Sequence, residues 1–480
     1  MPPRLFGRRA DQPRRPLGLS LHRRPGCARG AVPQLSRSYG ILSWPQAIWN
    51  PESAEELTMS TALTDVSLTD VRCFSGEQHA QLSKMTLLVG ENSVGKTTFL
   101  GCLHALGRLA GLEDLDDRIN WFDRAPFSMG SFDTVARSGS TSFRVSVGLA
   151  GGPFNQLAIQ FADGAEGCPK EIGLELQLSD SHPEERPTLS IVRESSESHT
   201  ERWRFEGPGF RFRLNQSDVS DVQFTTWLSR TIRYGQLPFD GDVTKFRKRV
   251  RPATNEDLVA FGKFVNFFRH DFRAPETPLR ITPVSLRGWD PQRLYISNPF
   301  GGAGEHLNLD VINETGRELG LFNGIDVRQV GPNAFEVLVD VSGSRHNLTD
   351  VGYGVTSLLP FIEAFATAPT NCLFLLQQPE VHVHPSAQAK LVKMMAKSDR
   401  AFVIETHSDH VIAWLRILVK EQHLAPSDVG IIYFESLPDD PSATRLHQIS
   451  LDGRANLRGQ PPTYRQFFSR ETARLLGLPT

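Results

Sequence analysis

The stretch Met85-Thr86-Leu87-Leu88-Val89-Gly90-Glu91-Asn92-Ser93-Val94-Gly95-Lys96-Thr97 runs from an apolar segment into a glycine-containing loop, and a helix-like stretch opens at Thr98. From Gly90 to Thr97 it fits G-x-x-x-x-G-K-[ST], with strand, loop and helix in the order that phosphate binding requires. Gly90 and Gly95 let successive backbone N–H groups curl around phosphates, and the helix N-terminus adds partial positive charge. Lys96 is placed to reach the β- and γ-phosphates, and the Thr97 hydroxyl can ligate Mg²⁺. Glu91, Asn92, Ser93, Val94 and Thr98 complete the candidate nucleotide-binding set. The fold class this predicts is α/β, a mixed sheet flanked by helices, with ATP and Mg²⁺ as cofactors.

The chain has 480 residues, more than one ordinary core accommodates, so two or three packed units are expected. With 52 basic against 54 acidic residues the net charge is −2, so any basic surface is local. The five cysteines, Cys27, Cys73, Cys102, Cys168 and Cys372, show no C-x-x-C spacing. That usage suits a reducing cytoplasm and argues against structural zinc. No apolar run approaches bilayer-spanning length, which predicts a soluble chain with no membrane partner.

Residues 1–58 are rich in Arg and Pro and carry almost no acid before Glu52. A disordered nucleic-acid-binding tail, a transit peptide and sequence upstream of a true start at Met59 all fit, and the last is favoured because strand-like periodicity begins only after Met59. Residues 59–141 form the expected N-terminal lobe with the phosphate loop and a helix to about Ala110. Short alternating segments from Ser142 to Asn215 read as an antiparallel sheet, followed by helical stretches, so 142–290 is an expected insertion. The cluster Lys245-Phe246-Arg247-Lys248-Arg249-Val250-Arg251 is either a phosphate contact for DNA or RNA or a solvated helix face. Phe261, Phe264, Phe267 and Phe268 recur at helical spacing and read as core. Residues 291–480 form the expected C-terminal lobe, with a helix at Leu307 to Leu319 and strands near Val327 and Phe335.

Two further strand ends carry polar groups. Leu373-Phe374-Leu375-Leu376 leads into Gln377-Gln378-Pro379-Glu380-Val381-His382-Val383-His384-Pro385, where a phosphate-loop ATPase normally has a metal-binding acid and a water-polarising carboxylate. Both positions hold Gln here. An amide oxygen can hold a metal-bound water, which makes Gln377 a candidate metal-site residue and Gln378 a candidate water-positioning one, but neither is a general base at neutral pH. Ala401-Phe402-Val403-Ile404 ends in Glu405-Thr406-His407-Ser408-Asp409-His410, offering Glu405 as a nearby carboxylate and His407 as a γ-phosphate or water contact. Asp350 to Ser357 precedes an apolar helix, and Gly352, Gly354 and Thr356 would present its bare N-terminus to an anion. His382 and His384 lack a third ligand for a closed zinc site.

In this order the segments resemble the ABC-type ATPase heads of the overcoming-lysogenization-defect (OLD)-like AAA family, relatives of the SMC and RecF heads. In that resemblance Gly90 to Thr97 is the Walker A loop, Asp350 to Ser357 the signature and Gln377 to Glu380 the Walker B region. His382 to Pro385 resembles the family's H-L-H-P stretch, and His407 its switch histidine. Ser450-Leu451-Asp452-Gly453, Pro462 and Phe467-Phe468 look like the family's ending, and Gln377 departs from the usual acid. The resemblance implies a homodimer closed around two nucleotides, with ATP binding and slow hydrolysis coupled to a partner or to DNA in genome maintenance or anti-phage defence. A nucleotide-gated scaffold without turnover is the alternative, and the large insertion and H-V-H-P argue against small-molecule import. About seventy residues follow His407, read as one helix, one strand and a terminal segment, too few for a fused nuclease, so an effector would be a separate chain.

Overall fold

The computed structural model describes residues 62–110, 120–124, 126–151, 154–164, 167–178, 188–195, 201–207, 210–215, 251–252, 257, 280–284, 309–331, 334–369 and 371–464. The expectations for residues 1–58, for the basic cluster 245–250, for the four phenylalanines and for 467–468 lie outside these. Leu57–Thr480 form one compact unit.

The chain opens with a hairpin, β1 (Ala62–Val71) and β2 (Phe74–Gln81), then β3 (Met85–Gly90) and α1 (Lys96–Ala110), which begins two residues before the position read from sequence. A short helix α2 (Phe132–Val135) leads to six antiparallel strands: β4 (Ser142–Ala150), β5 (Phe154–Asp163), β6 (Pro169–Leu178), β7 (Thr188–Ser195), β8 (Glu201–Gly207) and β9 (Phe210–Asn215). Then come β10 (Arg251–Pro252), β11 (Arg280–Val284), α3 (Leu309–Leu319), β12 (Gly324–Gly331), β13 (Ala334–Val341) and β14 (Ser344–Asn347). The C-terminal part contains α4 (Tyr353–Thr367), β15 (Cys372–Gln377), α5 (Pro385–Lys397), β16 (Ala401–Glu405), α6 (Asp409–Lys420), β17 (Val429–Ser436), β18 (Thr444–Leu451) and β19 (Leu457–Arg458). Sequence reading expected one strand after His407. Among the described residues three are present: the fully buried run 429–434 lies parallel to β3, β18 folds back on it and β19 pairs with β18.

Among the described residues three sheets result. One has the order β10-β9-β8-β7-β6-β5-β4-β1-β2, so the strands before and after residue 142 share it. A second has the order β11-β15-β16-β3-β17-β18-β19, with its first five strands parallel. The third, β12-β13-β14, packs against α3.

Parallel strands buried on both faces need apolar residues at successive positions, and the strand period of two sends alternate side chains to opposite faces. Leu88, Leu373, Leu375, Val403, Ile432 and Phe434 point into a core shared with Phe99, Leu103 and Leu106 of α1 and with the large antiparallel sheet. Leu87, Val89, Phe374, Leu376, Phe402 and Ile404 point the other way, into a core built with α3, α4, α5 and α6. Close packing of α1 over β11 requires Gly107, where a Cβ would lie 2.7 Å from Ile281 Cβ.

His104 on α1 is buried, with its ring edge-on to Phe127 at 5.9 Å. Burial, reinforced by Arg108, pulls its pKa from 6.5 down to about 4. The folded protein therefore holds His104 neutral while the unfolded chain takes up a proton below about 6.5. Stability accordingly falls as pH drops from about 6.5 to 4 and this contribution levels off below that. Denaturant titrations across this window should show a shallower decline for His104→Phe than for the parent, the difference reaching about 3 kcal/mol at pH 4.

Candidate functional site

The loop between β3 and α1 is shaped by its two glycines. A Cβ at Gly90 would meet Phe434 O at 2.6 Å, and Gly95 adopts φ +97° with Cys73 Sγ and Phe74 packed against its α-carbon. Glu91, Asn92 and Ser93 are exposed, while the Val94 side chain is buried in the core, leaving its backbone to the loop. The Val94 carbonyl accepts from Thr444 Oγ1 at 2.9 Å, and Thr444 N donates to Cys73 O at 2.8 Å. The C-terminal hairpin thus clamps the loop from behind. Lys96 is buried and its Nζ donates to Gly90 O at 3.0 Å and Glu91 O at 2.5 Å. Burial lowers the Lys96 pKa, opposed by Glu405 and Glu91. The Thr98 hydroxyl faces away from the loop and accepts from Arg72 Nη1 at 3.3 Å, so only its backbone serves the helix N-terminus.

Parallel pairing brings the strand ends to this loop. Gln377 and Glu405 are register partners at the ends of β15 and β16, and Glu405 pairs in turn with Leu88 of β3. Thr97 Oγ1 donates to Glu405 Oε2 at 2.9 Å and accepts from Gln377 Nε2 at 3.3 Å. Burial raises the Glu405 pKa, against the Thr97 hydrogen bond and the Lys96 charge. A hydroxyl and a carboxylate meet at one point, oxygen donors of the kind that suit a hard cation such as Mg²⁺, and the Gln377 amide nitrogen donates to the same hydroxyl. Gln378, at φ +45°, is half-buried and its backbone N–H donates to Glu405 O at 2.8 Å. A left-handed glutamine at a strand end is a conformation that the surroundings must hold in place.

Behind these groups lies a network to which the sequence reading assigned no roles. Glu380 is buried, and its Oε1 accepts from Thr406 Oγ1 at 2.7 Å and from the His407 backbone N–H at 3.0 Å. Its Oε2 is buried without a hydrogen-bond partner, and burial raises its pKa. Gln388 of α5 donates to Val383 O at 2.8 Å and accepts from Ser408 Oγ at 3.0 Å. Together they fix the turn that carries His407, whose Nε2 is buried and unpaired and whose pKa is lowered by burial and then by Lys96. Glu380 had one visible signal, an acid following a proline at a strand end; Gln388 had none, because its role depends on α5 packing.

The signature-like turn sits against the chain that follows Glu380. Ser357 Oγ donates to Val381 O at 3.3 Å, and a Cβ at Gly354 would lie 3.0 Å from His382 O. Tyr353 is 78% exposed with its ring 5.5 Å from that of His382, and space around Gly352 is open. Thr356 Oγ1 donates to Tyr353 O within its own helix. The structure therefore gathers Lys96, Thr97, Gln377, Glu405 and His407 in one place, whereas the hydrogen bonds of Thr356 and Ser357 run to their own helix and to Val381. His384 caps α5 by accepting from Ser386 N at 3.2 Å, and among the described residues no cluster of three metal-ligating His, Cys, Asp or Glu side chains occurs. Among them, too, no helix is long and apolar enough to cross a membrane.

No curated protein matches the chain. Among solved structures it is similar to an SMC head bound to the C-winged helix domain of ScpA, at 15% identity over 81% of this chain and 98% of that one, TM-score 0.37. It is also similar to the SMC head domain from Thermotoga maritima, at 10% identity over 80% and 97%, TM-score 0.34. A third is the Smc head domain with an extended coiled coil bound to the C-terminal domain of ScpA derived from Pyrococcus furiosus, at 12% identity over 82% and 97%, TM-score 0.39. Residues 85–413 match the family described as "AAA domain, putative AbiEii toxin, Type IV TA system". That match runs from the first residue of β3 into α6 and spans more than half of the sequence, and the chain belongs to this AAA-domain family.

Proposed function

We propose that this chain is an ABC-type ATPase head of the OLD-like class, which binds ATP with Mg²⁺ and couples slow hydrolysis in a homodimer to a separate partner. The observation that carries this reading is the convergence of Lys96, Thr97, Gln377, Glu405 and His407 at the ends of three adjacent parallel strands. The loop N–H groups from Glu91 to Lys96 and the α1 N-terminus cradle the phosphates, and Lys96 neutralises their charge. Mg²⁺ supplies Lewis-acid polarisation of the phosphoryl group when bound. Gln378 orients the attacking water, and the unpaired Nε2 of His407 is available to the γ-phosphate. Gly352, Gly354 and Thr356 close on the nucleotide of the second subunit. The setting is cytoplasmic, in genome maintenance or defence against phage, with an effector such as a nuclease as partner or DNA held through Lys245–Arg251. The family's description, which names a type IV toxin–antitoxin system, accords with defence.

A nucleotide-gated scaffold is the second reading, favoured by the neutral pair Gln377 and Gln378, since an amide does not accept a proton from water at neutral pH. Fluorescent-nucleotide titration of the purified chain should show Lys96→Ala weakening affinity by about ten-fold or more, and equal affinity would remove the nucleotide site. In phosphate-release assays the parent should exceed Lys96→Ala; matching rates would select the scaffold. Gly352→Trp should leave single-subunit nucleotide binding intact, because a Cβ added there would meet nothing within 4 Å. Light scattering should then show ATP-dependent dimerisation abolished, whereas an unaffected dimer would remove the signature turn from the interface.

A further inference from the structure

We infer that Glu405 is the metal-side carboxylate of this site, supplying from the neighbouring strand the negative charge that Gln377 cannot. The inference rests on the nucleotide-binding reading above and changes which strand provides the acid. Three observations carry it. Gln377 and Glu405 are register partners, so the two side chains leave the sheet at the same level, and Glu405 stands one strand nearer the phosphate loop, next to β3. Its Oε2 already holds the Thr97 hydroxyl at 2.9 Å, the loop hydroxyl that a hard cation would share. Gln377 approaches the same hydroxyl at 3.3 Å and so completes the cluster as a neutral member.

The position is held rigidly. The Glu405 carbonyl accepts from Gln378 N at 2.8 Å, Thr406 N donates to Leu88 O at 3.1 Å, and Glu380 fixes the next two residues through Thr406 Oγ1 and His407 N. A carboxylate clamped to the loop threonine is badly placed to serve a water on the far side of the γ-phosphate. The geometry therefore moves Glu405 to the cation and leaves Gln378 and His407 for the water and phosphate. The side chain most able to compete for Glu405, Lys96, keeps its hydrogen bonds for Gly90 O and Glu91 O.

The test uses the full-length chain with Mn²⁺ as the probe and a non-hydrolysable ATP analogue, reading free against bound Mn²⁺ by electron paramagnetic resonance. Glu405→Gln keeps the size and the capacity to accept from Thr97 while removing the charge. It should weaken Mn²⁺ binding to the nucleotide-loaded protein on the order of ten-fold or more, and the double variant Glu405→Gln with Gln377→Asp should recover most of that loss. The rescue separates a misfolded variant from a missing charge. Parent-like Mn²⁺ affinity in Glu405→Gln, or loss without recovery in the double variant, overturns the inference while leaving the nucleotide site standing. A parent chain that binds no nucleotide, with or without Mn²⁺, overturns the underlying reading and this assignment together.

Discussion

The parallel pairing of β15, β16 and β3 is the constraint on which the rest depends. Their side chains are apolar on both faces, so each strand is locked by two cores at once: α1 and the antiparallel sheet on one side, the C-terminal helices on the other. A slip of one residue would exchange the two sets of side chains and leave both cores mismatched. Register is thereby fixed, and with it the height at which Gly90, Gln377 and Glu405 leave the sheet. A polar cluster assembled from residues 280 and 308 positions apart in sequence owes its placement to hydrophobic packing beneath it.

Electrostatics then act on that frame. The site buries a lysine, two glutamates and half of a histidine, and burial is the first cause of every shift among them, disfavouring the charged forms. Only Glu405 and Lys96 are close enough to favour each other's ionised states. Preorganised groups of this kind act strongly on an incoming anion because little water competes with them.

Much of the site was readable in the residues. The phosphate loop declared itself because its backbone conformation demands glycines at two spacings and a lysine and threonine after them. The two apolar runs at 373–376 and 401–404 marked their own polar ends, so Gln377, Gln378, Glu405 and His407 could be named in advance. Strand order could not be read this way. That β16 lies between β15 and β3 sets Glu405 one strand nearer the phosphate loop than Gln377, and nothing local encodes it. Gln388 was hidden too, and Glu380 showed only an acid after a proline, since each works through partners on other elements. The strands after residue 428 were undercounted because β18 lacks a clean alternation of buried and exposed residues and β19 is two residues long.

The Thr444 hydroxyl on the Val94 carbonyl bears on the order of assembly. The two residues are 350 positions apart, and the same threonine also ties down Cys73. During synthesis the glycine loop emerges early, yet the Thr444 hydrogen bond on its back arrives only with the C-terminal hairpin. A nascent chain short of that hairpin therefore carries the motif without the clamp behind it.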